Sequence, residues 1–301
     1  MATVTELFIY PVKSCRGISV PAVRLHEAGL AHDRQWMLVG EDGRFVTQRS
    51  HPAMARIEPL MTAGVLRLRA PGMDEDISLP VDDFDEQAAV RLETGVFDVP
   101  VQTYVEGERV NQWLSDYLKQ SVRLVRYDVG SRRRCGPAEP GAPQVTTQLA
   151  DAWPLLIVST ASIDELNRRL QARGEAPVGV NRFRPNIVID DAGFGPHEED
   201  GLETLEHADY ALHMATPCER CSVPNLDHAT GRFGEEPTRT LREYRQGARG
   251  EGVMFGVHAW ISRGAGTATI RVGDALVSVP LISAKAPDPP AWRAGRRCRS
   301  R

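Results

Sequence analysis

Residues 216–227 read TPCERCSVPNLD and bring two thiols, an arginine and two prolines into one short span. The alternating run Tyr210–Ala215 comes directly before them and is typical of a β-strand. We expect this strand to end here and a rigid loop with Cys218 and Cys221 to follow. A strand that ends in a rigid loop carrying a thiol is a suitable place to hold a metal.

The C-x-x-C pair formed by Cys218 and Cys221 has three ordinary interpretations: half of a zinc site, a redox pair, or coincidence. Zinc needs four ligands, and no second pair follows, although His213 and His228 are close enough in sequence to be candidates. A thioredoxin-like pair is expected at the start of a helix, whereas Pro224 and turn-forming residues follow here. A thiolate that binds the metal of a bound cofactor needs only one cysteine.

The composition predicts a soluble globular protein of one large or two ordinary domains, because 301 residues with 42% hydrophobic side chains can bury a substantial core. No run approaches the ~20 apolar residues of a membrane span, and no signal-peptide pattern precedes the first strand. We therefore expect a cytoplasmic protein without membrane contact. The odd number of cysteines argues against a disulfide framework, and the acidic body argues against nucleic-acid binding.

Residues 1 to about 105 are expected to be mostly β-structure, because short alternating runs recur between turn signals. Val4–Tyr10 is the first run, and Gln35–Val39 and Arg44–Gln48 flank an Asp-Gly turn that is a strong hairpin signal. This part is predicted to form a small barrel or a strongly curved sheet. Helical periodicity first occurs over Val110–Leu118.

The second half of the chain is predicted to combine strands with a few helices. Trp153–Val158 and Ile187–Ile189 are predicted strands, and Ser162 to Glu165 has the capping-box pattern that opens a helix. A short helix is expected over Thr240–Arg245. The last predicted element is a hairpin over Ala268–Val279.

These patterns divide the chain into two domains and a tail. The predicted ranges are 1–128 for the first domain, 129–148 for a loop or linker, 149–282 for the second domain and 283–301 for a basic tail. The linker is rich in Arg, Gly and Pro, which favour irregular structure. The basic, Pro-rich tail is expected to be disordered and solvated.

Cationic side chains occur at the ends of three predicted strands. The three places are Lys13-Ser14, Asp33-Arg34, and Arg182 with Arg184. Such residues are usually solvated or form local ion pairs, but if they converge they form a cradle for an anion. Asn186 could then add amide hydrogen bonds to the edge of a heterocycle.

Several common catalytic motifs are absent from the sequence. It has no G-x-G-x-x-G, no P-loop and no G-x-S-x-G nucleophile elbow. Four clustered cysteines for an iron–sulfur cluster are missing as well. If the protein is a redox enzyme, its electrons come from a partner.

Several ordered motifs together resemble one known family. Residues 10–17 (YPVKSCRG) and 33–36 (DRQW) are similar to the N-terminal β-barrel of MOSC proteins. Residues 183–188 (FRPNIV), 217–221 (PCERC) and 227–231 (DHATG) are similar to the MOSC domain itself. The resemblance runs from about residue 3 to 280. It implies an α+β, β-rich fold with an N-terminal MOSC-type β-barrel domain and a C-terminal MOSC domain, which is a β-barrel with a few peripheral helices.

The sequence resembles in particular the mitochondrial amidoxime-reducing components and their bacterial counterparts. That resemblance implies a molybdenum–molybdopterin cofactor, bound between two β-rich domains, and the reduction of small N-hydroxylated substrates. Cys221 matches the molybdenum ligand and is the implied catalytic residue, whereas Cys218 matches a cysteine that is not the ligand. The positions that line the pterin and its phosphate are matched by Lys13, Ser14, Arg34, Arg184, Asn186, Glu219 and Arg220.

The sequence departs from this pattern at two places. Ala152-Trp153 stands where the mitochondrial members have a Thr-Ser pair, and Glu219 replaces a small polar residue. Some bacterial relatives carry a ferredoxin domain, but this chain has no cysteine set for an iron–sulfur cluster. An external electron donor of ferredoxin, flavin or cytochrome type is therefore implied. Two other functions stay open: a carrier of the cofactor or of sulfur, related to the C-terminal domain of cofactor sulfurases, and a binding protein stabilised by zinc at Cys218 and Cys221.

Overall fold

The computed structural model describes residues 1–97, 99–136, 143–247 and 252–281. Within these ranges the chain forms 22 β-strands, three α-helices and five short 3-10 helices. None of the described helices is both long and apolar enough to span a membrane. The predicted tail over 283–301 lies outside the described residues, as does Cys298.

The strands are β1 (Ala2–Ile9), β2 (Ile18–Ser19), β3 (Ala22–His26), β4 (Gly29–Leu30), β5 (Trp36–Gly40), β6 (Glu58–Thr62), β7 (Val65–Arg69), β8 (Ile77–Pro80), β9 (Arg91–Val96), β10 (Val99–Val105), β11 (Val122–Tyr127), β12 (Arg134–Cys135), β13 (Val145–Thr146), β14 (Leu155–Ser159), β15 (Ile187–Asp190), β16 (Leu202–Glu206), β17 (Ala211–Arg220), β18 (Leu226–Asp227), β19 (Arg232–Phe233), β20 (Val253–Arg263), β21 (Thr269–Arg271) and β22 (Ala275–Pro280). The helices are α1 (Glu108–Leu118), α2 (Thr160–Ala172) and α3 (Thr238–Tyr244), and the 3-10 turns are Pro52–Arg56, Val129–Ser131, Val180–Phe183, Glu198–Gly201 and Val223–Asn225.

Seven strands close into a barrel in the order β15, β14, β20, β17, β16, β22 and β1, and β1 pairs with β15 to complete the circle. The β14–β15 pair is parallel, and its neighbours are antiparallel. Six of the seven strands follow residue 154, but β1 comes from the first ten residues. The division at residues 128 and 149 stays a prediction, and β1 crosses it.

Aliphatic side chains fill this barrel. On β1 the buried positions include Val4, Leu7 and Ile9, and a bulge between Val4 and Glu6 changes the alternation. The small sheet of β4, β3 and β21 adds Leu25 and Ile270 to the same core. The barrel is therefore a packed body and not a pore.

A half-barrel forms the second body of the fold. It consists of a four-stranded sheet, β5-β11-β10-β9, and a three-stranded sheet, β6-β7-β8. Trp36 is fully buried in its core, and its indole N–H donates to Glu106 at 2.7 Å. The same carboxylate pairs with the buried Arg126 at 2.7 Å. Helix α1 adds Val110 and Leu114 to this core.

Helices α2 and α3 share a hydrophobic cluster with β14 and β20 on one side of the barrel, where Leu166, Leu241 and Phe255 are buried together. The predicted start of α2 was wrong by a few residues. Ser159 is the N-cap, and its Oγ accepts a hydrogen bond from the backbone N–H of Ser162 at 3.1 Å. Ser162 itself donates to the buried Glu199 at 2.7 Å.

The predicted β-rich fold, with two barrel-type bodies and few helices, is confirmed by this architecture. The predicted hairpin over residues 268–279 was wrong. β21 pairs with β3, whereas β22 pairs with β16 and β1. Both segments are strands, but each pairs with strands that are distant in sequence and not with the other.

Candidate functional site

Strand β17 carries the cysteine segment further than the sequence suggested. It continues through Pro217 to Arg220, so the expected strand end at Ala215 was wrong, and Cys218 lies in the strand. Register shifts occur on both sides of Pro217 in the pairing with β20, and a proline is tolerated at such irregular positions. Only Cys221 follows the strand end.

The two thiols therefore have different surroundings. Cys218 is 6% exposed, and Arg220 donates from Nη1 to its Sγ at 3.1 Å. Burial alone would raise the pKa of Cys218, but its interactions with His258 and Arg220 outweigh it and lower that pKa to about 6. For Cys221, burial dominates and raises the pKa, although Arg220 opposes it. At neutral pH Cys218 is the better thiolate.

Two of the predicted cationic places meet at one aromatic ring. The guanidinium carbons of Arg34 and Arg184 each lie 4.2 Å from the ring centroid of the buried Tyr10. Arg34 also donates to the backbone carbonyl of Arg184 at 3.2 Å. Such stacking is favourable for a planar guanidinium and fixes its orientation. The predicted convergence is therefore found for these two arginines.

Their counter-charges differ. Arg34 forms an ion pair with Asp33, in which Nη1 lies 2.7 Å from Oδ1 and 2.6 Å from Oδ2 of the carboxylate. Arg184 donates to the backbone carbonyl of Cys15 at 2.6 Å and forms no carboxylate ion pair with any described residue. Burial, followed by repulsion from Arg34, lowers the pKa of Arg184 to about 10. A buried cation in this state favours the binding of an anion.

The backbone at this cluster is locally strained. Ser14, Arg34 and Arg184 have φ values of 69°, 49° and 56°, in the left-handed region that non-glycine residues seldom occupy. Each such residue costs about 1–2 kcal/mol. Backbone hydrogen bonds hold two of these turns: Arg34 N–H donates to Tyr10 at 2.8 Å and Arg184 N–H to Asn181 at 3.1 Å. Strain of this kind is often found at functional sites.

Lys13 is 4% exposed and lies beside Asp151, with which it forms an ion pair. Its ammonium also donates to the carbonyl of Leu149 at 2.7 Å. The charge of Lys13, followed by that of Arg49, lowers the pKa of Asp151 to about 2. The charge of Asp151 also acts on the Cys221 thiol, so this pair belongs to the same neighbourhood.

Two of the predicted residues direct their side chains elsewhere. Asn186 is 1% exposed, its Oδ1 accepts from Leu156 N–H at 3.2 Å, and its amide donates to Phe8 at 3.2 Å. It links β1 to β14 and does not face the arginines with free polar atoms. Glu219 is exposed and lies against Gly252, directly before β20.

Sequence reasoning missed three residues of this neighbourhood. Tyr10 stood in a quoted motif but was not given a role, and Asp151 directly precedes the Ala152-Trp153 departure. His258 gave no signal at all, since its contact with Cys218 depends on the pairing of β17 with β20. Long-range partners of this kind have no local pattern.

The described residues do not form a four-ligand zinc site around Cys218 and Cys221. Among the described residues, no three side chains of His, Cys, Asp or Glu come together as a metal-binding group. The ring of His213 is tilted by 42° against that of Trp260, with 4.1 Å between the ring centroids, and His228 lies near Arg184 and Arg182. The arrangement can bind an anion through the arginines and offer a thiol beside it.

Comparison with known proteins shows the family of this chain. Two family descriptions match the chain, the MOSC N-terminal beta barrel domain over residues 1–121 and the MOSC domain over residues 144–277. The chain belongs to the MOSC family. The first matched range covers most of the half-barrel and the second most of the barrel, but β1 lies in the first range and belongs to the barrel.

Among curated relatives, this MOSC protein is similar to the mitochondrial amidoxime-reducing component 1 of Mus musculus, with 34% identity over 91% of this chain and 81% of the relative. It is 33% identical to the mitochondrial amidoxime reducing component 2 of Bos taurus, over 81% of this chain and 73% of the relative. It is also 31% identical to the molybdenum cofactor sulfurase of Oryza sativa subsp. japonica, over 84% of this chain but only 32% of that relative.

Proposed function

We propose that this MOSC protein binds a pterin-based molybdenum cofactor and uses it to reduce N-hydroxylated compounds. The observation that carries the proposal is the stacked pair of arginines on Tyr10 beside the Cys221 segment. Arg184 has no carboxylate partner among the described residues, and its pKa is lowered to about 10. The phosphate of the cofactor would supply the missing negative charge, because guanidinium groups bind phosphate by paired hydrogen bonds.

The described side chains fit such a cofactor. Cys221 would bind the metal, since a soft thiolate suits molybdenum that already has sulfur ligands. Arg34, Arg184 and Arg220 would hold the anionic part, with Lys13 and Ser14 beside them. Because burial raises the pKa of Cys221, the metal itself would have to promote loss of the thiol proton. Asn186 and Glu219 stay predictions, because their side chains make other contacts.

The cofactor, when bound, would supply the two-electron chemistry by which an N–OH group, two electrons and two protons give N–H and water. The protein would bind and orient it. The substrate class follows from the names of the amidoxime-reducing relatives. The electrons would come from an external donor protein of ferredoxin, flavin or cytochrome type. A cytoplasmic location stays a prediction.

A carrier of the cofactor or of sulfur is the second candidate. The similarity to the rice molybdenum cofactor sulfurase covers most of this chain and favours it. A carrier would bind the cofactor at the same residues but would not turn over substrate. The zinc alternative has less support, because the described residues bring no third ligand to Cys218 and Cys221.

Metal analysis of protein made in a host that synthesises the cofactor tests the proposal. We expect about one molybdenum per chain in the wild-type protein and a large loss in Cys221→Ser, because the sole proposed protein ligand is removed. Cys135→Ser is the matched control, since Cys135 lies on β12 and its thiol is hydrogen-bonded to the carbonyl of Val145 on β13. It should keep its molybdenum.

Turnover then separates the two candidates. Loaded protein with a chemically reduced dye should reduce an amidoxime, and Cys221→Ser should lose at least 100-fold in rate. Molybdenum-loaded protein that reduces none of a panel of N-hydroxylated compounds would favour the carrier. A well-folded protein without molybdenum, or equal molybdenum in Cys221→Ser, would exclude Cys221 as the ligand.

A further inference from the structure

Arg220 is held at both ends of its guanidinium. Nη1 lies 3.1 Å from Sγ of Cys218, and Nη2 donates to the carbonyl of Phe183 at 2.8 Å. The guanidinium carbon lies 5.4 Å from the centroid of the Phe183 ring. These contacts fix the position of Arg220 directly before Cys221 in the chain.

Arg220 is half-buried and its Nε is shielded from solvent, so a negative partner stabilises the guanidinium by offsetting the hydration it has lost. Among the described residues, no carboxylate lies within ion-pair distance of Arg220, and a backbone carbonyl carries no charge. Within the described part of the chain, the group hydrogen-bonded to Arg220 that can ionise is the thiol of Cys218. That thiol is itself 6% exposed, so solvent reaches the pair only from the side of the half-buried Arg220.

We propose that Cys218 is the anionic partner of Arg220, a thiolate where most proteins would use a carboxylate, and that it positions Arg220 for the bound cofactor. The positioning of Arg220 for the cofactor rests on the proposed function, whereas the ion pair between Cys218 and Arg220 does not. His258 of the neighbouring strand β20 lies beside the same sulfur and also lowers the pKa of Cys218. The pKa of Cys218, lowered to about 6, agrees with an ion pair at neutral pH.

A sulfur partner has a consequence that a carboxylate would not have. A carboxylate can accept from two nitrogens of one guanidinium, whereas the single Sγ takes Nη1 alone. The Nε of Arg220 stays buried and without a partner among the described residues. It is therefore available to an acceptor atom that a ligand brings, which makes Cys218 a positioning residue and not a metal ligand.

An absorbance titration of the cofactor-free, full-length protein tests whether Cys218 is a thiolate at neutral pH. Thiolates absorb near 240 nm, so the wild-type spectrum minus that of Cys218→Ser isolates this one sulfur. We expect a transition with its midpoint near pH 6. A midpoint above pH 8, in the range of an ordinary thiol, would overturn the inference.

A variant of Arg220, the partner of Cys218, provides the second part of the titration experiment. Arg220→Gln should raise the midpoint of Cys218 by at least about one pH unit, because a favourable charge is removed. Cys135→Ser is the control and should leave the midpoint of Cys218 unchanged. The pKa of Cys135 is raised to about 12, so its thiol stays protonated throughout the transition of Cys218. A midpoint that does not move in Arg220→Gln would contradict the ion pair. If Cys218→Ser does not fold, the Cβ shifts of ¹³C-labelled cysteine in wild-type protein give the same midpoint.

Molybdenum content tests the positioning role. Cys218→Ser should retain several-fold less molybdenum than wild type, and Cys218→Asp, which restores a negative charge, should retain more than Cys218→Ser. Equal retention in all three would overturn the role. Wild-type protein that binds no molybdenum would defeat the proposed function, while the titration would still decide whether Cys218 is the anion.

Discussion

Lys13 and Asp151 show how a single buried charge fixes its surroundings. The ammonium of Lys13 is 4% exposed, and burial lowers its pKa, so it needs both the carbonyl of Leu149 and the carboxylate of Asp151. Asp151 in turn has a side chain that is 57% exposed. The pair therefore connects a buried cation to a carboxylate at the surface of the site.

The substitution Asp151→Asn should lower stability at pH 7 by about 1–2 kcal/mol, less than the 3–5 kcal/mol of a fully buried pair because Asp151 is partly exposed. The pKa of Asp151 in the folded protein, about 2, is below its ordinary value, so the ionised carboxylate stabilises the fold above about pH 4. This contribution is lost as the pH falls towards 2.

Thermal unfolding at several pH values measures the difference in stability between the wild-type protein and Asp151→Asn. The gap between wild type and Asp151→Asn should narrow between about pH 4 and pH 2, as the wild-type carboxylate takes up its proton. Asp116→Asn, at an exposed position of α1, is the control and should change little at any pH. A gap of the same size at pH 2 and pH 7 would disprove the assigned charge interaction.

Much of the charge cluster was predictable from the sequence, because its cations stand at strand ends within recognisable motifs. Lys13, Arg34 and Arg184 were named in this way. The partners were not predictable, since Asp151 is 138 positions from Lys13 and has no motif of its own. The two cysteines also looked equivalent in sequence, and only the contacts of Arg220 distinguish them.

At the scale of single elements, Gly256 allows β20 to place buried side chains in two different hydrophobic cores. Phe255 lies in the cluster under α2 and α3, whereas Val257 lies in the barrel. Between them Gly256 has φ +73°, and a Cβ there would lie 2.8 Å from both the carbonyl of Ile157 and the side chain of Val158. The strand thus changes its buried face at this residue.

Gly256→Ala should therefore be clearly destabilising, by about 2–4 kcal/mol, because the left-handed conformation and the close contacts act together. Gly266→Ala is the matched control: its φ is +81°, but nothing lies within 4 Å of an added Cβ. We expect it to cost only about 1 kcal/mol. Denaturant unfolding of both variants gives the comparison, and equal losses would show that the contacts at Gly256 are unimportant.

Individual strands were easier to predict than their ends and partners. β1, β14 and β15 were predicted from their apolar patterns alone. β17 was expected to end at Ala215, because Pro217 normally interrupts a ladder, but register shifts in the sheet accommodate the proline. The segments on either side of Gly273 looked like one hairpin, and nothing local indicates that their partners are β3, β16 and β1.

For the molecule as a whole, β1 is the strand on which barrel closure depends. Leu7 is fully buried and pairs with Ile187 on β15, while Ala2 pairs with Leu276 on β22. The chain then continues through Val12, which forms a bridge to Trp36 in the half-barrel. One segment thus joins the two bodies.

Leu7→Ala should lower the free energy of unfolding by about 2–4 kcal/mol, since it removes a fully buried side chain from the barrel core. The loss should be visible far away in sequence, as faster amide exchange in β15 and β22. Leu60→Ala, at a position that is 38% exposed on β6, is the control. Faster exchange confined to residues 1–128 would contradict the assignment of β1 to the barrel.

The placement of β1 also has a consequence for how a ribosome makes this protein. Leu7 leaves the ribosome about 180 residues before its partner Ile187, and Ala2 about 270 residues before Leu276, which at ~5–20 residues per second is roughly 10–60 s. During that time the nascent chain exposes both edges of an apolar strand, which is a template for aggregation. Whatever shields the first ten residues during synthesis therefore helps determine how much of this protein a cell obtains.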